Sequence, residues 1–249
     1  MSVLLPLLGG SLLSGQATKV EPMELLRLNQ EAMFALKTFH ADAETKWIVS
    51  KTKSAWEFGT VTAEKPNKIL TRSSEPSPLP YANAKALASK DRTYTYICDG
   101  SNLYIDKGRT FEKIHDVRAS RIGMLARLCN GFYTKDSSIY ARVRYAKAGG
   151  SKVQLRYEGA EKVESVLCDK VEVLFGPGKA SGGRAEENTY YIGREDRIVR
   201  RQIVRDVMSG RPGYARDTIF TNVSSPKIVK GTIFIFKPAK GAAFVPSSN

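Results

Sequence analysis

The side chains that could carry chemistry are few and scattered. The two histidines, His40 and His115, stand 75 positions apart, and neither has a second His or a Cys at ligand spacing. No H-E-x-x-H and no G-x-S-x-G occurs, so neither a zinc hydrolase nor a nucleophile elbow is indicated. Gly178-Lys179 is followed by Ala180 where a phosphate loop needs Ser or Thr, and Val173 stands where its first Gly belongs. Glu172, Glu186 and Glu187 lie among basic residues, with no spacing that argues for paired acid and base work. Of the three cysteines, Cys98, Cys129 and Cys168, none forms a C-x-x-C. An oxidising compartment would allow one disulfide and leave one thiol, with the pairing undecided, and three isolated buried thiols fit equally well. No catalytic residue, metal or cofactor is therefore expected.

Charge is the more informative signal. Lys and Arg number 39 against 25 Asp and Glu in 249 residues, a net charge of +14. Such a field favours anionic partners. From Arg118 to Arg156 nine basic residues face the single acid Asp136. Arg118, Arg121, Arg127, Arg142 and Arg144 are the candidate basic face, a docking surface for an anionic membrane or a solvated surface with no dedicated partner. Tyr94, Tyr96 and Tyr104 near lysines suggest base stacking. No RNA-recognition signature accompanies them, however, so nucleic acid is not an expected partner.

The elements that must position these residues are mostly strands. Residues 1–17 carry no charge and run through Leu4, Leu5, Leu7, Leu8, Leu12 and Leu13 to the small residues Gly15 and Ala17. That is the pattern of a secretory signal, without the usual basic residue ahead of the apolar run. It predicts a soluble periplasmic or secreted product. Between Pro22 and Lys37, Leu25, Leu28, Ala32 and Leu36 recur at helical spacing, and Pro22 suits a first turn. The period then changes to two: Phe39, Ala41, Ala43, Thr45, Trp47 and Val49 alternate with polar partners. Further strands are expected around 56–61, 69–72, 94–98, 103–105, 111–114, 139–146, 153–157, 163–175, 188–192, 198–207, 214–223 and 232–236. Asp99-Gly100 marks a hairpin turn, 75–80 a Pro-rich loop, and 81–89 and 118–129 further helices. Strands joined in succession by short turns read as an antiparallel meander forming one domain, with the helices on one face of a curved sheet.

Several segments together resemble the LolA-like superfamily of periplasmic lipoprotein carriers and outer-membrane lipoprotein-sorting proteins. They are Gly59-Thr60-Val61 leading to Lys65-Pro66-Asn67-Lys68, Asp99-Gly100-Ser101-Asn102-Leu103-Tyr104, Cys168-Asp169-Lys170-Val171, Tyr190-Tyr191-Ile192-Gly193 through Arg200-Arg201, and Phe234-Ile235-Phe236 through Gly241-Ala242. Their order spans roughly residues 22 to 245. The resemblance implies a single domain over 18–249: mainly antiparallel β with few helices, an unclosed, strongly curved β half-barrel with helices on the concave side. It implies a hollow that shields a lipid or lipoprotein acyl chain, at about 0.8 kcal/mol per buried methylene. The candidate lining is Trp47, Val49, Phe58, Tyr96, Val171, Val173, Tyr191 and Phe220, with Ile122 and Leu125 on a lid helix. The same residues also suit an ordinary core between sheet and helix. The alternative function is a non-catalytic sensor or interaction module that binds a protein or anionic envelope polymer through its basic face.

Overall fold

The structure is a computed structural model and describes residues 21–48, 53–74, 79–80, 93–115, 131–177, 185–207 and 215–246. The expected signal at 1–17, Val49, the 81–89 helix and the lid helix with Ile122, Leu125, Arg118, Arg121, Arg127 and Cys129 lie outside these residues.

Helix α1 (Pro22–Ala35) opens the described chain with Pro22 in its first turn. Its apolar side, Leu25, Leu26 and Met33, is buried. Strand β1 (Thr38–Ile48) follows, then β2 (Lys53–Glu64) and β3 (Lys68–Ser74), with the two-residue β4 (Leu79–Pro80) paired to the start of β2. Strands β5 (Thr93–Asp99), β6 (Leu103–Asp106) and β7 (Thr110–Ile114) complete the first half. Helix α2 (Ile139–Ala148) stands in the connection to β8 (Val153–Val163). Strands β9 (Val166–Phe175), β10 (Ala185–Gly193), β11 (Val199–Val207) and β12 (Ala215–Ser224) form the second half, and β13 (Ala243–Phe244) is the last described element.

These strands build one unclosed sheet in the order β13-β7-β6-β5-β3-β2-β1-β12-β11-β10-β9-β8. Every pairing is antiparallel except that of β13 with β7. The sheet is thus two meanders rather than one. The first runs outward from β1, and the second starts at the opposite edge with β8 and works inward until β12 pairs with β1. This is the expected mainly antiparallel half-barrel, with α1 and α2 on its concave side.

Cross-strand register assigns every side chain to a face. Phe39, Ala41, Ala43, Thr45 and Trp47 of β1 share the concave face with Ala63, Val61, Gly59, Glu57 and Ala55 of β2. Two core clusters lie there. One gathers Met33, Phe39, Ala41, Val61, Ala63, Ile69, Cys98, Leu103, Phe132 and Tyr133. The other places Leu25 and Leu26 of α1 and Ile139 and Val143 of α2 on Val171, Val173, Phe175, Tyr190 and Ile192.

Three sequence expectations change. Residues 139–146 are helix, not strand: Ile139, Ala141, Val143 and Tyr145 satisfy the alternating period, but Ile139, Val143 and Ala146 satisfy a helical one equally well. The tie is broken at the ends: Ser138 Oγ accepts from the Ala141 N–H at 3.1 Å, and the Gly149 N–H closes onto the Tyr145 carbonyl at 2.9 Å. The continuous strand expected over 163–175 is divided by a turn at Glu164, whose φ is 52°. Residues 231–234 form a 3-10 turn that buries Phe234, and the final strand is displaced to 243–244.

Leu26 has no exposed surface. Leu26→Ala is expected to cost about 2–5 kcal/mol, read as a lower urea midpoint at unchanged slope. Ser138→Ala is expected to cost about 1–2 kcal/mol through loss of the α2 cap.

Candidate functional site

Two surfaces of the sheet bear on function. On the concave face, both clusters are filled by helices and aromatic side chains. Beyond the first cluster along β1 and β2, the strands present small residues, Ala43, Ala55 and Gly59, which belong to neither cluster. Aromatic walls flank this shallow floor. Trp47 is half-buried, and its indole N–H donates to Glu57 Oε2 at 3.1 Å. The Arg216 guanidinium lies 5.7 Å from the Trp47 ring. Register puts Tyr94 and Tyr96 of β5 and Ile105 of β6 on the same face. Burial, then the charge of the neighbouring Tyr94, pushes the Tyr96 hydroxyl up from its ordinary pKa, with Glu57 and Glu112 adding to the effect. Phe220 of β12 stands opposite Ala43 and is buried.

A polar chain bounds the floor on the α2 side. Arg142 of α2 holds Glu186 through two hydrogen bonds of 2.7 and 3.0 Å. Asn188 donates to Glu186 at 2.6 Å, the Tyr190 hydroxyl donates to Asn188 at 3.3 Å, and Gln202 donates to the Tyr190 hydroxyl at 3.2 Å. Burial alone would raise the Glu186 pKa, but the hydrogen bonds from Arg142 and Asn188 outweigh it and hold the carboxyl below its ordinary value. This network ties α2 to β10 and β11 in a direction that apolar contact alone cannot fix. Nearby, the buried carboxylate of Asp169 accepts from the Tyr157 hydroxyl at 3.0 Å, Arg194 at 2.8 Å and Arg197 at 3.2 Å. Asn29 of α1 donates to the Arg197 carbonyl at 2.7 Å, which fastens the helix to the β10–β11 turn.

The second surface is a groove of about 770 Å³ on the outer face. Its floor is two cross-strand rows: Arg72–Thr60–Asp42–Thr221 and Ser74–Phe58–Glu44–Ile219. Gly159, at φ 94°, and the register shift between Tyr157 and Ala160 bend the β8–β9 hairpin. Its tip brings Glu164 to the groove wall, and Val163 and Val166 pack with Tyr191, Cys168, Ile203 and Ile219.

The residues expected to line a hollow therefore divide. Trp47, Tyr96, Val171, Val173 and Phe220 share the concave face. Val171 and Val173 lie fully buried beneath α1 and α2 and are core. Phe58 pairs with Glu44 and Tyr191 with Arg201, both on the outer face. In β2 the apolar residues change face midway, Trp56 and Phe58 on one side and Val61 and Ala63 on the other, so alternation alone could not assign Phe58. For Tyr191 the neighbour Tyr190 is the residue under the helices. Of the basic face, Arg142 is engaged by Glu186, while Arg144 is exposed with its guanidinium 5.8 Å from the Tyr140 ring. Cys98 and Cys168 are buried free thiols, both pushed up in pKa by burial. Among the described residues no group of three His, Cys, Asp or Glu side chains is placed to hold a metal ion.

No family model matches the chain, and no curated protein does. Its fold is similar to that of several solved structures. The lipoprotein LppX of Mycobacterium tuberculosis aligns over 84% of this chain and 98% of its own, at 11% identity and a TM-score of 0.48. LprF of Mycobacterium bovis aligns over 84% and 95%, at 14% identity and 0.49. A LolA superfamily protein of Nitrosomonas europaea aligns over 87% and 98%, at 12% identity and 0.43. At these values the function has to be read from the residues themselves.

Because the folded pKa of Glu186 is depressed, its contribution to stability is present above the ordinary value of 4.5 and lost as pH falls through the lower folded value. Glu186→Gln is expected to lower stability at neutral pH and to flatten the acid limb below pH 4.5, measured by urea unfolding across that range.

Proposed function

We propose that this chain is a non-catalytic binding protein of the cell envelope that shelters a hydrophobic ligand, a lipid or lipoprotein acyl chain, on the concave face of its half-barrel. The observation that supports it is the floor of Ala43, Ala55 and Gly59 between the aromatic walls of Trp47, Tyr94, Tyr96 and Phe220. Small residues in the two central strands leave depth where large ones would fill the core, and aromatic walls offer apolar area at low cost in side-chain entropy. Glu57, Arg216 and the tyrosine hydroxyls give the same floor a polar margin. That pattern suits a ligand with an apolar body and a polar end, since ligand sites are mostly apolar with few placed polar groups. The helices would act as the adjustable cover. They meet the sheet through apolar side chains and through the Arg142–Glu186 and Asn29–Arg197 contacts, which are few enough to yield while the sheet stays intact.

The alternative, an interaction module that acts through the basic face, draws less support. Arg142, Arg144 and Lys147 are the exposed cations of α2 among the described residues, and Arg142 is already paired with Glu186. Three cations on one helix, one of them neutralised by a partner, make a modest electrostatic target.

Native mass spectrometry of protein purified from its own envelope is expected to show co-purified lipid. The two tryptophans provide a second readout, because Trp47 faces the concave floor and Trp56 the outer face, stacked 6.5 Å from Phe58. Addition of a long-chain acyl ligand should shift the emission of Trp56→Phe to the blue and leave that of Trp47→Phe unchanged. Equal shifts in both variants, or none in either, would sink the concave-face assignment.

A further inference from the structure

After β12 the chain leaves the sheet and crosses its outer face as a strap, residues 225–246. Its start is tied down at β1, where Ser225 Oγ donates to the Thr38 carbonyl at 2.9 Å and Thr38 Oγ1 donates to the Pro226 carbonyl. The 3-10 turn Gly231–Phe234 settles on β3 and β5, with Phe234 almost wholly buried. Phe236 then stacks on Tyr104 at 4.8 Å and tilts against Phe111 at 5.2 Å. Finally β13 pairs with the edge strand β7, and Phe244 meets Phe111 at 5.6 Å.

This anchoring decides what the strap shows to solvent. With Phe234 and Phe236 turned to the sheet, Ile235 between them points away and is 54% exposed. Phe244 is 55% exposed and Ile228 86%. With Val245, the strap holds four of the seven large apolar side chains exposed among the described residues. Over the same stretch it carries Lys227, Lys230, Lys237 and Lys240 and no acid. Isolated exposed apolar residues are ordinary, but apolar side chains on a rigid support and interleaved with lysines form a defined chemical surface.

We propose that this strap is a docking surface for anionic lipid bilayers. Lysines near an anionic bilayer are each drawn by its surface potential, and Ile235 and Phe244 are placed to enter the headgroup layer between them. The aromatic stack of Phe236, Tyr104 and Phe111 holds those side chains outward before contact, so little ordering remains to be done on binding. A solvated basic tail would not need the apolar residues. A protein partner or an anionic polymer would not need both features in alternation. No described helix is long and apolar enough to cross a membrane. The inference extends the ligand reading by naming where such a carrier meets a membrane, but the docking itself is independent of what the concave face holds.

The test is flotation of the full chain with vesicles of phosphatidylcholine containing phosphatidylglycerol and with vesicles of phosphatidylcholine alone. The wild type is expected to float with the anionic vesicles and to be released by high salt. Ile235→Ser with Phe244→Ser, and separately Lys237→Gln with Lys240→Gln, should each lower partitioning by on the order of tenfold or more. Ile235, Lys237 and Lys240 are surface positions, so circular dichroism and thermal melting of variants there should match the wild type. Because Phe244 also touches Phe111, Ile235→Ser alone is the fold-neutral apolar variant and should by itself lower partitioning. Equal partitioning to both vesicle types would overturn the proposal. So would full binding by the Ile235→Ser and Phe244→Ser variant, which would reduce the contact to charge alone. Lipid co-purification without vesicle affinity would defeat the docking surface and leave the ligand reading standing.

Discussion

The pairing of strands β1 and β12 joins the two meanders into one sheet. It runs from His40 opposite Ser224 to Ile48 opposite Ala215, with a bulge between His40 and Asp42. Without it the chain would be two separate meanders, each with a bare edge strand. Side chains reinforce the backbone ladder: Thr45 and Thr218 share a buried hydrogen bond of 3.0 Å, and Asn222 donates to Asp42 at 2.6 Å. A contact between strands about 175 residues apart carries a large loop-closure cost, so it has to be supported along its whole length.

Once the halves are joined, the concave face must be covered, and the chain does this unevenly. Over β9 and β10, α1 and α2 bury Val171, Val173, Tyr190 and Ile192 in an ordinary packed core. Over β1 and β2 the floor is small-sided and bordered by Trp47, Tyr96, Glu57 and Arg216. The Arg142–Glu186–Asn188–Tyr190–Gln202 chain lies between these regimes. Its members are individually polar and mutually satisfied, so it orients α2 without the penalty of unpaired buried groups. The outer face is treated differently again. The bent β8–β9 hairpin shelters Tyr191 and Ile219 on one half, and the C-terminal strap shelters Phe111 and Tyr104 on the other.

Two of the misassigned segments share one physical cause. Ile139 to Ala146 and Trp56 to Val61 each carry an apolar pattern compatible with two placements, and local propensity does not choose between them. For the first, the cap at Ser138 and the contact of Ser138 Oγ with Gln30 of α1 at 2.6 Å select the helix. For the second, register against β1 sends Phe58 outward with Glu44 and leaves Gly59 inward with Ala43. Phe58, expected in the hollow, becomes part of the outer groove beside Arg72 and Asp42.

Spacing alone encoded the periodic content: the extent of α1, though not its buried face, where Leu26, Asn29 and Gln30 are buried and Leu28 and Ala32 only partly; the alternating β1 with Phe39 through Trp47 on one face; the Asp99-Gly100 hairpin; and the succession of antiparallel strands. These follow from interactions within a few residues, which spacing and turn chemistry encode directly. Only the tertiary structure decided that β12 returns to β1, that Tyr190 rather than Tyr191 lies beneath the helices, and that Ile235 is held outward by the burial of Phe234 and Phe236. Each depends on which distant strand supplies the neighbouring register, and a one-residue step in register exchanges the two faces of a strand.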